Sequence, residues 1–390
     1  MNTLLVSSSS GSRGGGELYQ LYLGQALRQR GHSVTLWMSD HQRMDELEQL
    51  FAPIGTVIRA PYTNTYDYPL RSLHHLLGGS IAKRVAAQWT ALKPDVIHLN
   101  KQNLEDCLDL LDAARLTRLP TAATIHITQD AKYLRAKYAA ARDWVARRIL
   151  QRYAGTLVPT LQQREHELRD FVGPKARITT VVNGVPMLDL TQRPTARAAV
   201  HAELHIPADQ NIIIAVGRVV PQKRPLLWLD WVAKLHREIP DAHFLWVGSG
   251  DLADDFDRTA RERNLPVHRV PWTNDVPRYL LAADSFMHTA EFEGLSFALL
   301  EALSAGLPIL ITENLLPELP FLTPEVSIAL ADDGNWQAPL KDPTHLAKLS
   351  HNTRALAEEK FSFDRMARDY ETIYKTTEPV KPMSGGATFL

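Results

Sequence analysis

Short apolar runs alternate with longer helical patterns from one end of the chain to the other, and no other feature limits the fold as severely. Thr3–Ser7 reads as a strand, Gly11–Gly16 follows, and a helix is expected from Glu17 to Arg30. Gly31 stops it and Ser33–Trp37 opens the next strand. Further strands are expected at Val57–Ala60, Asp95–Leu99, Thr121–Ile125, Thr156–Val158 and Ile178–Val182. Short apolar strands separated by helices predict a parallel sheet covered on both faces. The pattern pauses over 185–210, a polar stretch with Pro and Thr and no clean strand. Asn211–Gly217 (NIIIAVG) then opens a second series: Ala242–Val247, Val267–Val270, Ser285–His288, Pro308–Thr312 and Val326–Leu330.

Two successive series predict an α/β chain of two Rossmann-like domains, 1–184 and 211–362, joined by a connection at 185–210. A C-terminal helix over 363–375 is expected to pack back on the first domain, with 376–390 as a flexible tail. Ligands of open α/β sheets sit beyond the carboxyl ends of the strands, so two such domains facing each other make a cleft.

Composition narrows the function classes. In 390 residues, 43 Lys and Arg stand against 44 Asp and Glu, a net charge of −1, which argues against a nucleic-acid partner. Cys107 is the only cysteine, so disulfide scaffolds, cysteine-rich zinc sites and iron–sulfur clusters drop out and a reducing compartment fits. No run of 18 apolar residues offers a membrane span, and Met1–Ser10 has no basic region of a secretory signal. A cytoplasmic protein is expected.

Three motifs carry chemistry. Gly11-Ser-Arg-Gly-Gly-Gly16 sits between the first strand and first helix, where glycine allows close backbone approach and a helix N-terminus attracts anionic or polar ligands. A nicotinamide loop is a rival, helped by Asp40, although G-x-x-G-G-G is not G-x-G-x-x-G. A plain tight turn is the third reading. Gly217-Arg218-Val-Val-Pro-Gln-Lys223 follows the first strand of the second series, and Arg218 and Lys223 there either neutralise a diphosphate without a metal or, as the motif taken alone favours, are solvated surface cations. Glu293-Gly294-Leu295-Ser296-Phe297 places Glu293 eight residues before Glu301, which lies inside the apolar run that Phe297 opens; a helix-capping Glu293 and a peripheral Glu301 are the alternative for either residue singly. The turn opens a helix whose N–H groups point at a ligand, and a carboxylate in that stretch needs a partner such as a sugar hydroxyl.

With Val247-Gly-Ser-Gly250, Ala305-Gly-Leu-Pro308, Asp95-Val-Ile-His98, Thr124-Ile-His126 and Val181-Val-Asn-Gly-Val185, these motifs in this order resemble the family 4 retaining glycosyltransferases of the GT-B fold, over nearly the whole chain. The resemblance implies transfer of a sugar from a nucleoside diphosphate donor to an acceptor hydroxyl with retention of configuration, no cofactor and no metal. It implies that Arg218 and Lys223 hold the diphosphate, that Glu301 binds the ribose and that Glu293 stands beside the donor sugar. Amides around Gly294, Leu295, Ser296 and Phe297 contact donor phosphate and sugar, and His126 lies near the reacting sugar. Gly15 and Gly16 face the acceptor. Val270 belongs to a loop whose backbone reads the nucleobase. Ala290 stands where a small hydroxyl residue is common, and Ser296 and Phe297 replace the usual Gly and β-branched residue, which puts donor identity in question.

Other features carry less. His126 ends an apolar strand and has a core role as its alternative, while His98 ends another strand. Asp255-Phe-Asp257 looks like a metal motif but lies in a charged helical stretch, and a solvated face is expected. Cys107 reads as core packing. Residues 132–152 carry Lys132, Arg135, Lys137, Arg142, Arg147, Arg148 and Arg152 against Asp143 alone, with Leu134, Tyr138, Ala141, Val145 and Ile149 at helical spacing and Trp144 nearby. Such a helix either lies on an anionic membrane or packs its apolar face inward. The remaining function classes are an NAD-linked oxidoreductase, which leaves Arg218, Lys223, Glu293 and Glu301 unexplained, and a non-catalytic nucleotide-sugar-binding partner.

Overall fold

The structure, a computed structural model, describes residues 1–7, 15–68, 72, 73, 75, 79–332 and 334–377. It divides into two compact units, Met1–Gly184 together with 363–377, and Val185–Ser362. The first holds six parallel strands: β1 Asn2–Ser7, β2 Ser33–Ser39, β3 Thr56–Ala60, β4 Val96–Asn103, β5 Thr121–Ile127 and β6 Thr156–Pro159, in the order β3-β2-β1-β4-β5-β6. Leu4, Leu5 and Val6 are all buried because helices cover both faces of the sheet, which is why β1 reads as an uninterrupted apolar run. Trp37, Trp89, Leu108, Leu111, Val145 and Ile149 complete one side of that core.

The second unit repeats the plan with β7 Ile212–Val216, β8 His243–Val247, β9 Val267–Val270, β10 Ser285–His288, β11 Ile309–Thr312 and β12 Ser327–Leu330, in the order β12-β11-β10-β7-β8-β9. Trp228 anchors its core edge-on to Trp246 (5.3 Å between ring centres) beside Phe244 and Phe256. In both sheets the order reverses beside the first strand, between β1 and β4 and between β7 and β10. Those reversals create the crevices at the strand carboxyl ends where α/β folds bind ligands.

Several expectations need correction. Ile178–Val182 is no strand: it makes one bridge, Leu157 to Ile178, and the amides of Thr179 and Val181 donate to the carbonyls of Leu157 and Pro159. Pro159 has no N–H to return, so the ladder stops. The 185–210 stretch belongs to the second unit and holds a helix, Arg193–Leu204, with Pro194 in its first turn and Ala196 and Val200 buried. Arg197 fixes it by bonding the Asp284 carboxylate and the Ala282 carbonyl (2.9–3.1 Å). Its apolar stripe is too narrow to stand out in a polar sequence.

The C-terminal helix runs Phe363–Thr376 in the first unit, where Arg30 bonds both Asp364 and Glu371 at 2.7–3.1 Å. Thr376 and Thr377 are not tail: Thr377 is buried, its hydroxyl 3.1 Å from that of Thr156. Residues 378–390 lie outside the described residues.

The 132–152 segment divides differently from its pattern. The helix is Ala139–Arg152, and Val145 and Ile149 face the core while Leu134, Tyr138 and Ala141 do not. Arg142 is buried against Glu105, with Nε 2.7 Å from Oε1. Cys107 is buried at the start of the helix Leu108–Thr117.

Candidate active site

In the second unit, hydrogen bonding between β7 and β10 (Ile213 opposite Ser285, Ile214 opposite Phe286) places the loops after these strands side by side. The first loop carries Arg218 and Lys223, the second Glu293. The Lys223 ammonium pairs directly with Glu293 Oε1, and the two side chains are only 15% and 10% exposed. Three hydrogen bonds to backbone carbonyls hold the loops together: the Glu291 amide donates to the Gln222 carbonyl (2.8 Å), Gln222 Nε2 to the Phe292 carbonyl (3.1 Å), and the Thr289 hydroxyl to the Lys223 carbonyl (3.2 Å). Arg218 is exposed, and its guanidinium makes no hydrogen bond or ion pair among the described residues. It is free to take an anion.

The second glycine motif explains how this cradle is shaped. A Cβ on Gly250 would stand 2.4 Å from the Val219 carbonyl oxygen and 2.7 Å from its nitrogen and carbon, so V-G-S-G lies flat against G-R-V-V. Gly248, at φ +149°, leaves 2.1 Å between such a Cβ and the Gly217 oxygen. The Lys223 stem runs over Gly217, its Cε 3.3 Å from the missing Cβ.

Gly294 and Ser296 are half-buried and Leu295 and Phe297 buried, just ahead of and opening the helix Phe297–Ser304. Ser296 takes the N-cap position without a capping side-chain bond, so first-turn amides are left to other partners. Glu301 lies on that helix and is 6% exposed. Val270 ends β9, and its carbonyl already accepts from the Gly248 amide (2.8 Å). Trp272, beyond it, donates its amide to Ser249 Oγ (3.0 Å).

In the first unit Gly11–Gly14 fall outside the described residues. Gly15 and Gly16 open the helix Gly15–Gln29. Asn100 Nδ2 donates to the Gly16 carbonyl (2.9 Å), and Asn100 Oδ1 lies 2.7 Å from Nε2 of the half-buried His126. The Tyr19 ring meets the imidazole edge-on at 4.9 Å between centres. Burial lowers His126 to about 4, so the ring is neutral near pH 7. His98 is a core residue: fully buried, it bonds Tyr374 through Nδ1 (2.5 Å) and Tyr19 and Thr124 through Nε2 (2.9 Å each), and burial, then His126, lowers it to about 3.

Sequence reasoning missed four of these residues: Asn100, Tyr19, Gln222 and His288. The last ends β10, is 4% exposed, and is held to about 3 by burial and then by Lys223. Only its place at a strand's carboxyl end signalled it. Asp255 and Asp257 serve ion pairs on the helix Ala253–Glu262, Asp257 doubly to Arg269 (2.6 and 2.8 Å). Among the described residues no cluster of His, Cys, Asp and Glu is arranged to hold a metal.

Two parallel six-stranded sheets, each covered by helices, form the architecture of the GT-B fold. The glycosyl transferases group 1 model matches residues 196–338 and the glycosyltransferase family 4 model residues 13–187. The chain is a family 4-like glycosyltransferase of the GT-B fold. It is 29% identical over 160 residues to the Escherichia coli UDP-Gal:alpha-D-GlcNAc-diphosphoundecaprenol alpha-1,3-galactosyltransferase, a match covering 39% of this chain and 40% of that protein. It is 24% identical over 350 residues to the alpha-monoglucosyldiacylglycerol synthase of Acholeplasma laidlawii, covering 82% and 84%. In fold it resembles Anabaena HepE in complex with UDP, with a TM-score of 0.73 at 18% identity, over 96% of this chain and 100% of that one.

Proposed function

We propose that this chain transfers a sugar from a nucleoside diphosphate donor to an acceptor hydroxyl, with retention of anomeric configuration, in glycolipid or polysaccharide assembly. The observation that carries the proposal is the Lys223–Glu293 pair on the loop of Arg218, whose guanidinium has no partner among the described residues, at the carboxyl ends of the adjacent strands β7 and β10. Breaking the sugar–phosphate bond puts positive charge on the anomeric carbon and negative charge on the diphosphate. Arg218 and Lys223 are fixed cations for that diphosphate, and cations aimed at developing charge act mostly in the transition state. The donor's diphosphate replaces Glu293 as the partner of Lys223 and leaves the carboxylate beside the sugar. Amides over 294–297 add donors at a positive helix end, Glu301 takes the ribose hydroxyls, and the loop after Val270 reads the base.

On the acceptor side, Gly15, Gly16 and His126 serve the incoming hydroxyl. Attack comes from the face the diphosphate leaves, and the departing phosphate takes the acceptor proton. No protein nucleophile and no metal enter. HepE structures hold UDP and UDP-glucose, which supports a nucleoside diphosphate donor, and the Escherichia coli relative is named for a diphosphoundecaprenol acceptor, which supports a lipid-linked one. A thermal-stabilisation screen against UDP-, GDP-, ADP- and TDP-sugars identifies the donor. Proton NMR of the first-formed product then reads the anomeric centre, and inversion rules the mechanism out. Binding without turnover or donor hydrolysis would leave a non-catalytic nucleotide-sugar-binding role instead.

A second reading, peripheral contact with an anionic membrane, is favoured by the surface at 132–152. Tyr133, Leu134, Tyr138 and Trp144 are 61%, 42%, 70% and 56% exposed, among exposed Lys132, Arg135, Lys137, Arg147, Arg148 and Arg152. The acidic residue of the segment, Asp143, is buried and accepts from the Ala131 and Lys132 amides. Interfacial aromatic rings with cations worth about 1 kcal/mol each suit an anionic lipid surface. No described helix is long and apolar enough to cross a membrane. Co-sedimentation with phosphatidylglycerol vesicles should be salt-sensitive and weakened by Tyr138→Ser with Trp144→Ser. Binding that ignores salt and both substitutions discards the idea.

A further inference from the structure

We infer that Asn100 is a positioning residue that locks His126 in the Nε2–H tautomer and so leaves Nδ1 as a hydrogen-bond acceptor for a sugar hydroxyl. The inference rests on the reading of His126 as part of the acceptor side. Its logic begins at Gly16, whose carbonyl can only accept. The Asn100 atom 2.9 Å from it is therefore the amide nitrogen, and the amide oxygen faces His126 Nε2 at 2.7 Å. An amide oxygen likewise only accepts, so Nε2 carries the proton. A neutral imidazole has one N–H, and Nδ1 is left with its lone pair.

The rest of the surroundings agree. The ionisable groups close to the ring are Tyr19, packed edge-on, and His98, and neither supplies a negative charge that favours imidazolium. Burial holds His126 at about 4, so Nδ1 stays unprotonated at working pH. No described residue donates to Nδ1. The start of the helix Gly15–Gln29 thus sets the polarity of the histidine through one amide: the Gly16 carbonyl, held on Asn100, prepares His126 to accept. His126 then orients a sugar hydroxyl by taking its hydrogen bond, and it is not itself a proton donor in this state. The Gln102 side-chain amide lies over Gly16, 1.6 Å from where a Cβ would stand.

The test uses the full ligand-free chain with ring-labelled histidine and long-range nitrogen–proton NMR, His126 being assigned by its loss in His126→Gln. The expected spectrum shows the His126 proton on Nε2, with an ionisation near 4. Asn100→Leu should abolish the tautomer preference. Asn100→Asp should convert the acceptor into a charge and raise the His126 ionisation above the ordinary ~6.5. If the aspartate variant unfolds through repulsion of the Gly16 carbonyl, the leucine variant reads the same bond. A wild-type proton on Nδ1, or an unchanged tautomer in Asn100→Leu, overturns the inference. Failure of the underlying reading looks different: His126→Ala would then transfer sugar at the wild-type rate while the tautomer result stood.

Discussion

The Lys223–Glu293 pair is the place to separate what stabilises the second unit from what serves transfer. Lys223→Met keeps most of the stem over Gly217 and removes the charge, leaving Glu293, 8% exposed, without its ammonium. Breaking one side of a buried ion pair costs about 3–5 kcal/mol, and 15% and 10% side-chain exposure puts this pair toward the lower end. Glu293→Gln alone strands the ammonium at similar cost. The double variant Lys223→Met/Glu293→Gln buries no unpaired charge, so its penalty should fall below the sum by about 2 kcal/mol. Denaturant unfolding followed by tryptophan fluorescence measures this, since Trp228, Trp231, Trp246 and Trp336 all lie in the second unit's core. Turnover should behave oppositely. With the cation gone, kcat should drop by about 10²-fold or more in Lys223→Met and stay low in the double variant, because neutrality does not replace a charge aimed at the leaving diphosphate. Additive stability penalties, or a Lys223→Met rate within threefold of wild type, would refute the argument.

Three further predictions follow from packing and burial. Gly250→Ala should cost about 1–3 kcal/mol and weaken donor-dependent thermal stabilisation at least ~10-fold, because relieving the 2.4 Å approach to Val219 displaces the Arg218–Lys223 loop; undiminished stabilisation speaks against it. Acid should destabilise both units: His98 and His288 have folded values near 3, below the unfolded ~6.5. As pH falls through 6.5 the unfolded chain binds protons that the folded one refuses, so each residue removes about 2 kcal/mol by pH 5. His288→Leu should flatten that loss between pH 7 and 5 in denaturant titrations, and an unchanged slope contradicts its burial as a neutral ring. Arg142→Met should destabilise the first unit by about 3–5 kcal/mol through the stranded Glu105, with Glu105→Gln restoring most of it, and vesicle binding should not change because Arg142 faces inward.

Sequence alone determined the class. Apolar strands buried on both faces write their period and their glycine stops directly into the chain, so all twelve segments that became sheet strands could be placed beside their flanking turns, with bounds off by at most four residues at an end. Arg218, Lys223, Glu293 and Glu301 were singled out by residue type at strand ends and within an apolar helix, and the structure pairs Lys223 with Glu293 and buries Glu301. Ile178–Val182 shows the limit: its composition is that of a strand, but whether it pairs depends on a proline in its neighbour. The 132–152 stripe shows another, since helical spacing continued into residues that do not belong to the helix, and Arg142 counted as surface charge while it sits against Glu105.

Tertiary structure decided which groups meet. Lys223 and Glu293 are neighbours because β7 and β10 pair across the reversal of strand order, and no local rule predicts that register. Asn100 joins Gly16 to His126 only because β4 lies between β1 and β5. Periodicity is a property of each segment's own exposure and is carried in its residues. The partner of a polar side chain is set by long-range pairing, where the free energy of burial selects among many arrangements that look alike along the chain.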